Sequence, residues 1–129
     1  MQNKNDIIAK LSNGELDDDL NYIYVVADDI EKHKNRYFTL IKGFEEVFGD
    51  TDKLALFSAP GRTVIGGNHT AHQHGCVIAG SVNLDVIAAV SFNDDNVVRI
   101  KSKGYKMDTV ALDDLEVMPN EYDKSISLI

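Results

Sequence analysis

Residues 57–75 constrain this chain more than any other stretch. They hold four Gly, one Pro, one Arg and three His. An apolar run, residues 54–57, leads in, and a long strand-like run, residues 77–90, leads out. Gly lets the backbone take positive φ and lets a ligand come close. Arg62, Asn68 and His69 bring directional donors and acceptors. A polar, Gly-rich loop held between two strands is where small-molecule sites are commonly built.

The flanking pattern predicts helices first and a sheet afterwards. Ile7, Ile8 and Leu11 share one face of a short helix, residues 6–11, which Asn13-Gly14 ends. Asp17, Asp18 and Asp19 open a second short helix and read as a solvated start, since three adjacent carboxylates on a helix point apart and make a poor cation cage. The longest helix begins around Asp28 or Asp29 and stops at Gly49-Asp50. Its apolar stripe is Ile30, Tyr37, Phe38, Leu40, Ile41, Phe44, Val47 and Phe48; Lys32, Lys34, Lys42, Glu45 and Glu46 fit the solvated face. Residues 54–58 read as a strand that Pro60-Gly61 turns outward. In the run 77–90, Val82, Leu84, Val86, Ala88 and Val90 alternate with Ser81, Asn83, Asp85, Ile87 and Ala89. Asn93 to Asn96 form a tight turn, residues 97–101 return as an antiparallel strand, and residues 109–112 form a third. The fold class is α+β: an N-terminal helical segment, residues 1–50, then a mostly antiparallel sheet region, residues 51–129, within a single domain.

Composition narrows the partners. The formal charge of −8 opposes nucleic acid or an anionic membrane as the main partner. The one cysteine, Cys76, cannot form an internal disulfide, and the N-terminus has no signal-peptide pattern, so the chain reads as cytoplasmic. No run approaches the ~18 apolar residues of a membrane span.

The loop residues carry a family resemblance. Ser58-Ala59-Pro60-Gly61-Arg62 followed by Ile65-Gly66-Gly67-Asn68-His69-Thr70 resembles the sugar-recognition signature of galactokinases, within the GHMP group of small-molecule kinases. Glu45-Glu46-Val47-Phe48-Gly49 before it, and Ser81-Val82-Asn83-Leu84-Asp85 and residues 93–99 after it, follow in that family's order. The resemblance covers about residues 35 to 115. It implies the N-terminal half of a GHMP-kinase-like fold with a mixed sheet. It also implies transfer of the ATP γ-phosphoryl group to the C1 hydroxyl of galactose. On that alignment Arg62 is the catalytic Arg beside the reacting hydroxyl, where a guanidinium stabilises charge on phosphoryl oxygens. Asn68 stands where most members carry a sugar-binding Glu, and His69 matches a sugar-contacting His.

Two departures stand out. Galactokinases carry an Asp two residues after the motif His, and Ala71 occupies that position here. The Gly/Ser-rich ATP loop and the catalytic Asp of the group have no match in residues 1–129. ATP and Mg2+ are therefore expected of the full-length family enzyme and not of this segment, whose expected partners are galactose or a related sugar and a missing C-terminal kinase half. The other expectation is a non-catalytic, galactokinase-like sugar-binding or regulatory protein. Two further readings of the loop are weaker. His69, His72 and His74 with Cys76 offer zinc-type ligands, but their spacing lies on no helix face, so no metal site is assigned. Residues 66–70 lack the Lys of a phosphate-binding loop.

Overall fold

The computed structural model describes residues 1–24, 29–67, 73–113, 116 and 119. The chain divides into two compact units, Met1–Ser91 and Phe92–Ile129.

The first unit opens with β1 (Gln2–Asn3) and α1 (Lys4–Asn13). The Asn3 side chain caps α1 by accepting from the Asn5 N–H, and Gly14 ends it at φ 85°. Helix α2 (Asp17–Tyr24) starts on its three aspartates, whose charge suits the positive end of the helix dipole. Helix α3 (Ile30–Phe48) is capped by Asp29, which accepts from the Lys32 N–H at 3.0 Å. Gly49, at φ 85°, stops it and donates its N–H to the Glu45 carbonyl. The starts of α2 and α3 and the ends of α1 and α3 thus fall close to where the capping residues predict.

Strands β2 (Lys53–Gly66) and β3 (Ile78–Val90) form a long antiparallel pair, with β1 on the other edge of β2. Buried Ile7, Leu11, Leu20, Tyr24, Tyr37, Ile41 and Leu54 make the core. Leu56, Ile87 and Ala89 pack against it from the sheet. Register pairs Leu56 with Ala89 and Ser58 with Ile87, so these residues share the helix-facing side. Phe57, paired with Ala88, and Val86, paired with Ala59, stand on the opposite side, 57% and 75% exposed. Ile87 and Ala89 share their parity with polar Ser81, Asn83 and Asp85, so alternation alone did not mark the inner face. The helices choose the Asp85–Ile87–Ala89 face.

The expected outward turn at Pro60-Gly61 does not occur: β2 continues through both residues. Pairing passes from Pro60↔Asp85 to Arg62↔Ser81, so β3 advances four residues while β2 advances two. The extra residues bulge toward Gly61, where an added Cβ would lie 3.1 Å from the Leu84 carbonyl oxygen and 3.2 Å from Val82 Cγ2. Pro60 has no N–H to give a ladder, and the irregularity beside it is the place a strand tolerates that. Gly61 thus makes room for a bulge instead of making a turn.

Three charged positions also depart from expectation. Lys34 is buried, its Nζ 2.7 Å from Asp17 Oδ1 and 3.2 Å from Glu31 Oε1, which fastens α3 to the start of α2. Asp17 therefore ties two helices together instead of facing water alone. Glu45 likewise leaves the solvated face: with Asp50 it receives the buried Lys4 ammonium, joining α1 to the end of α3. A helical wheel of α3 shows the Glu31–Lys34 pair but neither the tie from Lys34 to Asp17 nor that from Glu45 to Lys4, whose partners lie on other helices.

In the second unit, β4 (Val97–Lys101) pairs antiparallel with β5 (Met107–Ala111), from Val97↔Ala111 to Lys101↔Met107. Gly104, at φ 85°, lies in the connection, and the Tyr105 N–H donates to the Ser102 carbonyl at 3.1 Å. Arg99 pairs with Asp95 at 2.6 Å. The fold is α+β, and every described strand pair is antiparallel. No described helix is long and apolar enough to cross a membrane.

The choice of sheet face is testable. Val86→Ser should change stability by no more than about 0.5 kcal/mol, as exposed substitutions usually do. Ile87→Ser should cost about 2 kcal/mol or more, since it trades core packing for an unpaired hydroxyl. Urea-unfolding midpoints compare them, and an equal loss in both variants would contradict the assigned face.

Candidate functional site

The signature loop hangs from the far end of the β2–β3 pair. Arg62 lies within β2 opposite Ser81 and is exposed. Among the described residues it has no ion-pair partner, so nothing there supports a structural salt bridge for it. Pairing then shifts from Val64↔Ala79 to Gly66↔Ile78, which leaves Ile65 as one extra residue on β2. Gly67 closes the base at φ 88°. A Cβ there would lie 2.2 Å from the Cys76 carbonyl oxygen, so the two ends of the loop meet too closely for any side chain. On the return, His74 is exposed with φ 59°. The expected sugar contacts Asn68 and His69, the substituted position Ala71, and His72 lie outside the described residues. The structure thus gives the loop's supports and Arg62, but not the arrangement of Arg62 relative to Asn68 and His69.

What sequence reasoning missed lies midway along the same strand pair, at Pro60↔Asp85. Asp85, whose side chain is only 4% exposed, receives three donors. Arg36 Nη2 reaches its Oδ1 at 2.6 Å; the Tyr24 and Ser58 hydroxyls each reach its Oδ2 at 2.7 Å. Tyr37 extends the cluster through a 3.1 Å contact between its hydroxyl and that of Tyr24. His33 stacks on Tyr24 with ring centroids 3.7 Å apart, and the Arg36 guanidinium stands 5.8 Å from the Tyr24 ring centre. One carboxylate therefore joins α2, α3, β2 and β3. The available signal was Asp85 itself: the single charge in an otherwise uncharged strand run, on the parity shared with Ile87 and Ala89.

The electrostatics follow from the contacts. Burial by itself would raise the Asp85 pKa, but hydrogen bonds from Tyr24, Ser58 and Arg36, with the Arg36 charge, hold it below the usual carboxylate value. Burial, then the Tyr37 and Asp85 contacts, push the Tyr24 phenol upward. Burial and the Arg36 charge lower the His33 pKa. Asp85 is thus ionised, enclosed and saturated with donors. That suits it to holding structure and not to taking a proton from a substrate. A cleft of about 270 Å³ opens beside it, lined by Tyr24, Ser58, Pro60, Val82 and Asn83 among others.

Linkage gives the sign of a pH effect. A carboxylate with a depressed folded pKa adds stability that is complete above its unfolded value and is lost as pH falls through the folded one. The wild-type chain should therefore lose stability as pH drops below 3.8. Asp85→Asn should be less stable at pH 6 and should lose less than wild type on further acidification. Urea midpoints at pH 6 and pH 3 measure both; an identical acid loss in the two proteins would remove Asp85 as a contributor.

Comparison with known proteins bears on the loop-bearing pair. Residues 42–92 match the family model described as the galactokinase galactose-binding signature. The chain is 35% identical over 80 residues to a galactokinase of Lactococcus lactis subsp. cremoris, covering 60% of this chain and 20% of that one. A Dictyostelium discoideum galactokinase is 30% identical over 90 residues, covering 68% of this chain and 18% of its own length. One from Bacillus subtilis is 36% identical over 67 residues, covering 51% and 17%. The chain thus spans about a fifth of the length of these relatives. No solved structure matches it. The matched segment runs from the C-terminal part of α3 through β2 and β3, the elements that carry and brace the loop, and over that segment the chain is similar to galactokinases and carries their galactose-binding signature.

Proposed function

We propose that this chain forms the sugar-recognising part of a galactokinase, which transfers the ATP γ-phosphoryl group to the C1 hydroxyl of galactose. The observation that carries the reading is the signature match over residues 42–92, which contains all of the assigned loop residues. In this reading Arg62 lies beside the reacting hydroxyl and stabilises charge developing on the transferred phosphoryl oxygens. Asn68 donates and accepts, and His69 does either, so together they read the position and orientation of sugar hydroxyls. A hydroxyl that is missing or inverted leaves those groups unpaired, which is the basis of discrimination.

ATP and Mg2+ are assigned to the full-length family enzyme and not to this segment. Among the described residues no cluster of His, Cys, Asp and Glu could hold a metal ion. Residues 1–129 contain no Gly/Ser-rich loop of the family's ATP-binding type. The family's kinase half is the partner that would complete the reaction. The single cysteine fits a cytoplasmic enzyme.

Ala71 sets the expected affinity. A carboxylate at that position would accept from two neighbouring sugar hydroxyls, and Ala accepts nothing. A charged hydrogen bond contributes ~1–3 kcal/mol, which is about tenfold to a hundredfold in affinity. Water filling the vacated space recovers part of this. Calorimetric titration of the purified chain should thus give weak galactose binding, tightened at least several-fold by Ala71→Asp. The chain alone should form no galactose 1-phosphate from ATP. Unchanged or weaker binding by the variant would mean that position 71 does not face the sugar, and product above a no-protein control would overturn the division of labour.

A further inference from the structure

The two irregularities in the β2–β3 pair divide it into blocks with different demands. From Ala55↔Val90 to Pro60↔Asp85 the register is regular, and the inner side chains Leu56, Ile87 and Ala89 pack on the helices. Beyond Pro60 the paired side chains are exposed, apart from partly covered Gly80. Hydrophobic burial specifies register only where one face is buried, because a one-residue slip moves every side chain to the other face. It therefore cannot specify register for Arg62 to Gly66.

Asp85 stands at the boundary. It belongs to the last regular pair, and the β3 bulge, Val82 to Leu84, follows immediately toward the loop. Its bond to Ser58 runs diagonally across the two strands and requires both residues on the inner face. Its bonds to Arg36 and Tyr24 fix it to α3 and α2. A bulge that grew by one residue to take in Asp85 would turn this carboxylate out of its donors. A buried charge separated from its partners is strongly unfavourable, so the cluster opposes that growth. The loop depends on the same count. Gly66 opposes Ile78, and Gly67 meets the Cys76 carbonyl, only if the bulge keeps its two extra residues.

We propose that Asp85 is a positioning residue that locks the register of the signature strand: by holding the bulge at Val82–Leu84 it sets Arg62 opposite Ser81 and closes the signature loop between Gly66 and Ile78. The part that concerns galactose rests on the function proposed above; the part that concerns register does not.

Cross-strand proton contacts in the NMR spectrum of the 129-residue chain read the register directly. Wild type should show contacts between Thr63 and Gly80 and between Gly66 and Ile78, as well as between Leu56 and Ala89. Asp85→Asn and the milder Ser58→Ala should keep the Leu56–Ala89 contact and weaken or shift the other two. Lys34→Met, which cuts the α2–α3 tie and touches neither strand, should leave all three in place. If Asp85→Asn fails to fold, Ser58→Ala decides alone. Retention of the Thr63–Gly80 and Gly66–Ile78 contacts in every folded Asp85 or Ser58 variant would overturn the proposal. So would their equal loss in Lys34→Met, which would mark a general effect of destabilisation. Galactose affinity should fall about tenfold in the register variants, since a small misplacement of contacting groups has effects of that order, and should hold in Lys34→Met. A wild-type chain that binds no galactose but shows these register changes would count against the sugar reading alone.

Discussion

A single carboxylate, enclosed and given three donors, connects the helical half of this protein to its sheet. Asp85 takes Arg36 from α3, Tyr24 from α2 and Ser58 from β2, while standing on β3. Without partners, a charge so enclosed would cost several kcal/mol. With them, it is a directional constraint that apolar packing cannot supply. Leu54, Leu11 and Ile41 decide that helices and sheet associate. Asp85 and its donors specify how the two strands lie against each other at the point where the regular ladder ends.

The division of labour along β2 follows from this. Its first half is structural: inner residues fill the core and the ladder is regular. Its second half is exposed, irregular and carries the signature. Such an arrangement places a loop of functional residues on a rigid support without burying it. The two buried lysines serve the same support from the other side. Lys34 holds α2 to α3 through Asp17 and Glu31, and Lys4 holds α1 to the end of α3 through Glu45 and Asp50. The aromatic cluster of His33, Tyr24 and Tyr37 fills the space between those helices and the carboxylate.

Much of this was legible in the sequence, for local reasons. Asn13-Gly14, Asp29 and Gly49 marked helix ends because capping is a property of a few adjacent residues. The stripe through Tyr37 and Ile41 marked the core because helical spacing places them on one face. The loop's composition pointed to a binding site, and its order of residues to a family. What stayed hidden is what depends on distant partners. Lys34 and Glu45 looked solvated because Asp17 and Lys4, which hold them, lie on other helices. Pro60-Gly61 looked like a turn because the bulge that explains Gly61 belongs to β3. Asp85 looked like an ordinary strand residue because its donors come from positions 24, 36 and 58. The inner face of β3 was not marked because Ile87 and Ala89 share their parity with polar Ser81, Asn83 and Asp85. Of the site itself, Arg62 lies exposed within β2, whereas Asn68, His69 and Ala71 fall outside the described residues.

The central claim is that the loop between β2 and β3 recognises galactose while the Asp85 cluster braces it. The most direct measurement is an amide-resonance titration of the 129-residue chain with galactose and, separately, with glucose, which differs at one hydroxyl. The account predicts saturable, galactose-selective shifts at Arg62 and through residues 66–75, with the amides of α1 and of β4 unmoved. Shifts absent from that stretch, or of equal size with both sugars, would contradict it.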